Sequence, residues 1–230
     1  MLFVKPIAHI ETDFKEKFGI PRQAGRVPSL SGRIIFEKEY QNPDALRGIE
    51  EFSHLWLLFD FSASHREEWS PTVRPPRLGG NKRVGVFATR SPFRPNPIGL
   101  SSVKLLKVEK TETEGTVLHV GGVDLLDGTP ILDIKPYLPL ADSHPEAQGG
   151  FADEVADYHL DVDFPSYLLE EIDPEKREAV IACLREDPRP SYQEDPEREY
   201  AMAFSSWDIH FKVANETAHV FKVTKKDCSN

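Results

Sequence analysis

The sequence is poor in cysteine and has no long apolar run. Only two cysteines occur, Cys183 and Cys228, too few for a disulfide framework and without the spacing of zinc ligands. No stretch approaches the roughly 20 apolar residues that cross a bilayer. The opening residues, MLFVKPIAHIETDFKEKF, lack the apolar core of a signal peptide. These absences predict a cytoplasmic protein with no membrane segment and no bound metal.

Motifs of common nucleotide and metal enzymes are also missing. The sequence contains no Walker loop, no G-x-G-x-x-G after a strand, no H-E-x-x-H and no G-x-S-x-G elbow. The eight histidines show no ligand spacing, and a lone one such as His54 in FSHLWLLF is more typical of a core or edge residue than of a catalyst. Nucleotide hydrolysis and metal-dependent hydrolysis are therefore disfavoured.

Acidic residues are absent from one long segment of an otherwise acidic chain of formal net charge -10. Between Trp69 and Val108 there are eight bases and no acid, whereas the other 190 residues hold 20 bases and 38 acids. This distribution indicates a localised anionic ligand, since the acidic remainder limits indiscriminate nucleic-acid binding. A merely solvated basic face is the alternative. The proline, glycine and asparagine in the same segment favour a functional site.

The hydrophobic pattern predicts a mainly β protein. Strand-length segments rich in Val, Ile and Phe, bounded by turn-forming residues, lie at 2–10, 32–40, 54–61, 83–89, 98–108, 116–126, 131–138, 205–213 and 219–223. Few helical patterns separate them, which favours closure into a barrel. We therefore predict a single β-barrel domain at 1–140, a linker or mobile loop at 141–163, and a small α+β C-terminal domain at 164–230.

Two segments carry helix signals. Asn42 as N-cap and Pro43 in the first turn predict a short helix over 42–52. The helical pattern at 165–187 is interrupted at Asp173-Pro174, where a second helix is expected to begin.

The loop GVFATRSPFRPNPIGLS, residues 85–101, has the features of a rigid binding loop. Its three prolines fix their own φ and restrict the residues before them. Arg90 and Arg94 offer planar charged forks suited to phosphate or carboxylate, and Asn96 can read an amide or a base edge. A loop ordered in advance suits a binding site, because little entropy is lost when the ligand arrives. A stiff connection whose arginines pair with the acidic body is the alternative.

Two further loops concentrate polar groups. In GGVDLLDGTPILDIKPY, residues 121–137, Asp127-Gly128 between apolar runs predicts a tight hairpin. The same turn presents a carboxylate, a glycine backbone and a threonine hydroxyl that could bind hydroxyls or an ammonium group, and both interpretations stay open. In GIPRQAGRVPS, residues 19–29, Arg22 and Gln23 give a weaker indication of a site.

Several long strings together resemble the TsaA/TrmO (YaeB-like) family: PRQ, FSHLWLLF, PTVRPPRLGGNKRVGVFATRSPFRPNPIGLS and DLLDGTPILDIKPYLP. The resemblance spans about residues 3–140, and DPRPSY with REYAMAFSSWDIHFKV is similar to the small C-terminal domain of bacterial members. It implies a β-barrel fold unlike Rossmann-type methyltransferases, and a homodimer. The implied activity is methyl transfer from S-adenosylmethionine to N6 of N6-threonylcarbamoyladenosine, next to the anticodon at position 37 of tRNA.

The resemblance also implies site residues. Positions that bind the methyl donor in the family match Pro21, Arg22, Gln23, Ser62, Ala63, Arg90, Leu100, Asp127, Gly128, Thr129 and Pro130. Many relatives have His where this chain has Ser62. Arg90 or Arg22 is expected to engage the methionyl carboxylate or shape the pocket, and Asp127 to hold a polar donor group. Contacts to the anticodon stem-loop are expected from Arg74, Arg77, Lys82, Arg83, Arg94 and Asn96.

No residue is identified by the sequence as a general base. Positioning should supply most of the rate acceleration of an in-line methyl transfer, without a metal. Two other functions stay open at this point: a non-catalytic RNA-binding module, and a methyltransferase with another acceptor. No DNA partner is expected.

Overall fold

A computed structural model gives the fold and describes residues 3–75, 82–155, 157–190, 193 and 195–226. In chain order the strands are β1 (Ala8–Thr12), β2 (Ser31–Phe36), β3 (His54–Asp60), β4 (Thr72–Val73), β5 (Val84–Gly85), β6 (Ile98–Thr111), β7 (Gly115–Gly121), β8 (Thr129–Pro136), β9 (Asp161–Asp163), β10 (Tyr200–Phe204), β11 (Trp207–Ala214) and β12 (Thr217–Lys225). The α-helices are α1 (Pro139–Asp142), α2 (Ser166–Leu169) and α3 (Pro174–Arg185). Short 3₁₀ segments lie at Lys38–Tyr40, Pro43–Leu46, Ile49–Glu51, Ser62–Ser64, Val86–Ala88 and Gly150–Val155.

Six strands close into an antiparallel barrel in the order β1-β2-β7-β6-β3-β8. Strand β3 shows the alternation typical of the barrel strands: Leu55, Leu57 and Phe59 are buried, and the residues between them are partly exposed. This alternation gives the strand one face for the core and one for the outside. The predicted β-barrel is confirmed.

Several strand predictions need correction, since β1 starts only at Ala8 and β2 ends at Phe36, and two others differ more. The apolar run at 83–89 pairs only over β5, and a 3₁₀ turn, Val86–Ala88, follows at once. The run at 116–126 ends as a strand at Gly121, and the predicted hairpin at Asp127-Gly128 is wrong, because β7 pairs with β2 and β6 whereas β8 pairs with β1 and β3. Gly122 turns the chain away at a φ of 69°, and its N–H donates to the Leu30 carbonyl at 2.8 Å.

The helix predictions hold in part. The segment 42–52 forms two 3₁₀ turns instead of one helix, with left-handed Gly48 between them at a φ of 86°. Asn42 does cap the first turn, since its side chain accepts from the Asp44 N–H at 3.0 Å. The predicted second helix start at Pro174 is confirmed.

The C-terminal part of the chain forms a second sheet, in the order β10-β11-β12-β9. Its buried residues and those of the barrel belong to one continuous core. Phe14, just after β1, packs edge-on against Phe204 of β10 with ring centroids 5.4 Å apart. The connection between β1 and β2 is therefore held between the barrel and the second sheet.

Gly99 on β6 lies opposite Phe59 on β3. A Cβ at position 99 would lie 2.2 Å from the Phe59 ring, which is only 4% exposed and has little room to move. We expect Gly99→Ala to lower the free energy of unfolding by about 1–3 kcal/mol, measured by urea denaturation. Gly85→Ala is the matched control, because nothing lies within 4 Å of the methyl group it adds. Equal losses in the two variants would contradict this account.

Candidate functional site

A cleft lies at one end of the barrel, where three connections meet. Asp60 at the end of β3 pairs with Ile98 at the start of β6. The ends of β7 and β1 pair in the same way with the starts of β2 and β8. The connections 13–30, 61–97 and 122–128 consequently emerge on the same side, and side chains far apart in the sequence surround one opening.

The cleft has a volume of about 770 Å³, which is in the range of small-molecule sites. Its walls combine apolar rings and aliphatic groups with carboxylates and guanidinium groups. They are formed by Lys17, Ile20–Gln23, Phe59–Ser64, Phe87, Thr89, Arg90, Pro92, Arg94–Asn96, Ile98–Ser101, Asp124–Leu126 and Thr129.

The structure brings together eight of the eleven residues assigned to the donor by resemblance. Those lining the cleft are Pro21, Arg22, Gln23, Ser62, Ala63, Arg90, Leu100 and Thr129. The other three, Asp127, Gly128 and Pro130, are neighbours of Thr129 in the chain but do not line the cleft. The Asp127 carboxylate accepts from the Thr12 N–H at 2.9 Å and from Lys15. In this structure it therefore fixes the connection 122–128 to the end of β1.

The residues assigned to RNA fall into two groups. Arg94 and Asn96 line the same cleft as the donor residues. Arg74, Lys82 and Arg83 are exposed at the small β4–β5 ladder, where Arg83 donates to the Thr72 hydroxyl at 3.2 Å. Arg77 lies outside the described residues.

Hydrogen bonds fix the loop at residues 85–101, called the basic loop below, at both ends of its proline cluster. The Arg94 N–H donates to the Pro92 carbonyl at 3.0 Å, and the Arg94 guanidinium donates to the Thr89 carbonyl at 3.1 Å. The Phe61 N–H donates to the Pro97 carbonyl at 2.8 Å, which joins the loop to the end of β3. The loop thus presents its polar groups from a defined backbone.

A chain of hydrogen bonds joins this loop to the C-terminal domain. Arg90 donates to the Gln23 side-chain carbonyl, and the Gln23 amide donates to the Arg22 carbonyl at 2.5 Å. The Arg22 guanidinium donates to the Arg189 carbonyl at 2.9 Å. The segment Pro21–Gln23 is therefore positioned from both sides.

An ion pair anchors the same segment a few residues later. Arg26 reaches both carboxylate oxygens of Glu186, at 2.9 and 3.1 Å. The Glu186 side chain is only 8% exposed, so its charge needs close compensation. The C-terminal part of the chain thus fixes one wall of the cleft.

Asp124 is the main cleft residue to which the sequence assigned no role. It accepts from the Ser101 hydroxyl at 2.7 Å. Burial raises the pKa of the Asp124 carboxyl above its usual value, and this effect exceeds the opposing ones of the Ser101 hydrogen bond and the Arg90 charge. In the sequence, Asp124, Asp127 and Asp133 all lie near one predicted turn. No local pattern distinguishes Asp124 from Asp133.

Other cleft residues were also not predicted: Lys17, Asp60, Phe61, Phe87 and Thr89. Of these residues, only Asp60 had a sequence signal that could have indicated a site, because it is a charged residue at the end of a regularly alternating strand. Its carboxylate lies 2.6 Å from His65 Nε2.

Within the described ranges no cluster of histidine, cysteine and acidic groups is arranged to hold a metal ion. None of the described helices has the length and apolar character needed to span a membrane.

The raised pKa of Asp124 leads to a stability prediction. Because the pKa of this carboxyl is higher in the folded than in the unfolded protein, its protonation favours the folded state at acidic pH. This contribution to the free energy of unfolding is lost as the pH rises through the raised pKa. Asp124→Asn should therefore be more stable than the wild type at pH 7, with a gap that narrows toward about pH 4, measured by urea denaturation. Asp133→Asn, at a carboxylate 44% exposed, is the control and should change stability at pH 7 by less than about 0.5 kcal/mol. Lower stability of Asp124→Asn at pH 7 would contradict the prediction.

Comparisons with known proteins agree with this architecture. Residues 9–143 match the family model of the tRNA-methyltransferase O N-terminal domain, and residues 157–226 match that of the TrmO C-terminal domain. An Escherichia coli (strain K12) protein named tRNA (adenine(37)-N6)-methyltransferase is 43% identical over 223 residues, which cover 94% of each chain. A Pseudomonas aeruginosa protein, provisionally named S-adenosylmethionine-dependent methyltransferase RcsF, is 40% identical over 90% of this chain and 91% of its own.

A solved structure extends the likeness to three dimensions. The crystal structure of TrmO from Pseudomonas aeruginosa matches with a TM-score of 0.77 and 34% identity, covering 97% of this chain and 99% of that one. The resemblance predicted from the sequence strings is confirmed over both parts of the chain. The chain belongs to the TrmO family.

Proposed function

We propose that this protein is an S-adenosylmethionine-dependent tRNA methyltransferase that modifies N6 of N6-threonylcarbamoyladenosine at position 37. One observation carries the proposal: eight donor-assigned residues and two RNA-assigned residues, Arg94 and Asn96, line a single cleft. A reaction between a small donor and a large RNA needs the two sites to share an opening. The family relatives' names support the same activity.

The composition of the cleft fits the proposed donor. S-adenosylmethionine supplies a methyl group from a sulfonium centre, and it also carries an ammonium, a carboxylate and a flat adenine. The Asp60 and Asp124 carboxylates can receive the cationic groups, and the Arg90 guanidinium can receive the carboxylate. Leu100, which is 52% exposed, offers apolar surface for the adenine. Asp127, Gly128 and Pro130 remain in the proposal as neighbours that support Thr129.

The acceptor would approach from the basic side. Arg94 and Asn96 on the loop, with Arg74, Lys82 and Arg83 beside the β4–β5 ladder, can neutralise phosphates and the acceptor's threonyl carboxylate. The acidic remainder of the chain would direct the anticodon stem-loop to this face. Arg77, outside the described residues, belongs to the same proposed set.

Catalysis by this cleft would rest on alignment. Methyl transfer requires sulfur, methyl carbon and N6 in line, so the fixed backbone around Arg94 and Pro97 is the contribution we expect from the chain. S-adenosylmethionine would supply the methyl group, and the open cleft would let the N6 proton pass to solvent. A cytoplasmic homodimer is part of the proposal, from the family resemblance.

The proposal predicts a specific chemical lesion. Transfer RNA from a strain lacking this gene should contain threonylcarbamoyladenosine without its N6 methyl group, detected by mass spectrometry of nucleosides. The purified protein should restore the methyl group only with S-adenosylmethionine, and calorimetry should show that it binds the donor. Binding of tRNA without binding of the donor would instead support the non-catalytic RNA-binding module. Donor binding with unchanged methylation in the deletion strain would indicate a different acceptor.

Arg94 and Arg90 should separate RNA binding from donor binding. Arg94→Ala should weaken tRNA binding and reduce the slope of log affinity against log salt by about 1, with donor affinity within about twofold of wild type. Arg90→Ala should mainly weaken donor binding. Filter binding across a salt series and calorimetry measure the two effects. Lys110→Ala, an exposed base toward the other end of β6, is the control. An equal loss of donor affinity in Arg94→Ala would contradict this division of roles, because Arg94 would then also be needed for donor binding.

A further inference from the structure

Two large exposed aromatic side chains lie next to each other, and one of them, Phe87, lines the cleft. Trp69 is 52% exposed and Phe87 is 72% exposed. Their ring centroids are 6.1 Å apart and their planes are inclined by 32°. Exposed aromatic groups side by side are a common sign of a binding surface.

The local structure explains why the two rings meet. Thr72 pairs with Gly85 in the β4–β5 ladder, and the Val86 N–H extends the ladder by donating to the Pro71 carbonyl at 3.0 Å. Trp69 lies just before this ladder on one side and Phe87 just after it on the other. The pairing therefore brings the two rings together on a defined support.

The surroundings select the kind of partner. Phe87 lines the cleft together with Arg90, and Arg83 lies at the same ladder. Cations of this kind attract nucleic acid. Exposed Glu67 and Glu68 directly precede Trp69 in the chain, and negative charge next to the indole disfavours a phosphate there. A nucleobase is uncharged and can lie on the rings where a phosphate cannot.

We propose that Trp69 and Phe87 form a stacking platform for an unpaired base of the anticodon loop beside the target nucleotide. The proposal rests on the proposed function, because it assumes that a tRNA enters this cleft. A target base that enters a cleft leaves the stack of its neighbours, and aromatic side chains replace such lost stacking in RNA recognition. The platform binds through base faces and is therefore tolerant of sequence.

Stacking has a different signature from phosphate binding. Trp69→Ala should weaken tRNA binding roughly tenfold without changing the slope of log affinity against log salt, because no phosphate contact is removed. Trp69→Phe should recover part of the affinity, and Phe87→Ala should resemble Trp69→Ala. In the wild type, tRNA should quench tryptophan fluorescence, and Trp69→Phe should lose most of that quenching. Phe221→Ala, at an aromatic 42% exposed on β12, is the control and should behave as wild type.

The outcomes separate the platform from the proposed function. Unchanged tRNA affinity in both alanine variants, with normal methylation by the wild type, would overturn the platform and leave the methyltransferase standing. No tRNA binding or methylation by the wild type would refute the proposed function itself. Conversion of a dimer to a monomer in Trp69→Ala, seen by analytical ultracentrifugation, would identify the rings as a contact between two copies and also overturn the platform.

Discussion

The attachment of the β1–β2 connection to the C-terminal domain is the constraint on which the cleft depends. Arg26 holds the almost fully buried Glu186 through two hydrogen bonds, and Phe14 packs against Phe204. A buried carboxylate without a partner costs free energy. Moving the β1–β2 connection away from Glu186 would therefore destabilise the protein. The Pro21–Gln23 wall of the cleft lies between these two contacts. The C-terminal segments that carry Glu186 and Phe204 are thus part of the site's architecture.

Inside the cleft, rigidity and charge are distributed unequally. The basic loop is held by its own hydrogen bonds and by Phe61, which contacts it from the end of β3. Asp124 is partly buried, against the preference of a carboxylate for water, and the Ser101 hydroxyl is among the groups that offset that cost. Residues that oppose stability in this way often serve binding or catalysis. The barrel supplies the stability that allows such a residue to persist.

The fold was largely predictable because barrel strands carry a local signature. Alternation along β3 is visible in His54–Asp60 alone. The errors arose where contacts between residues far apart in the sequence determine the end of a strand or the surroundings of a side chain. Gly122 ends β7 because of hydrogen bonds with Gly25 and Leu30, which no neighbouring residue reveals. The ion pair of Arg26 with Glu186 spans 160 positions, and the burial of Asp124 is likewise set by remote segments. The arginines of the basic loop, in contrast, were evident from composition.

The hydrogen-bond chain from Arg90 through Gln23 and Arg22 to Arg189 has a thermodynamic consequence. The loop that carries Arg94, which we propose contacts RNA, also carries Arg90, which we propose contacts the donor. If occupancy at one end shifts this shared network, it changes affinity at the other end, and linkage requires the change to be equal in both directions. A donor that favours RNA entry would be retained more tightly once RNA is bound. Cooperative assembly of the two substrates would then be a property of the scaffold, independent of the chemical step.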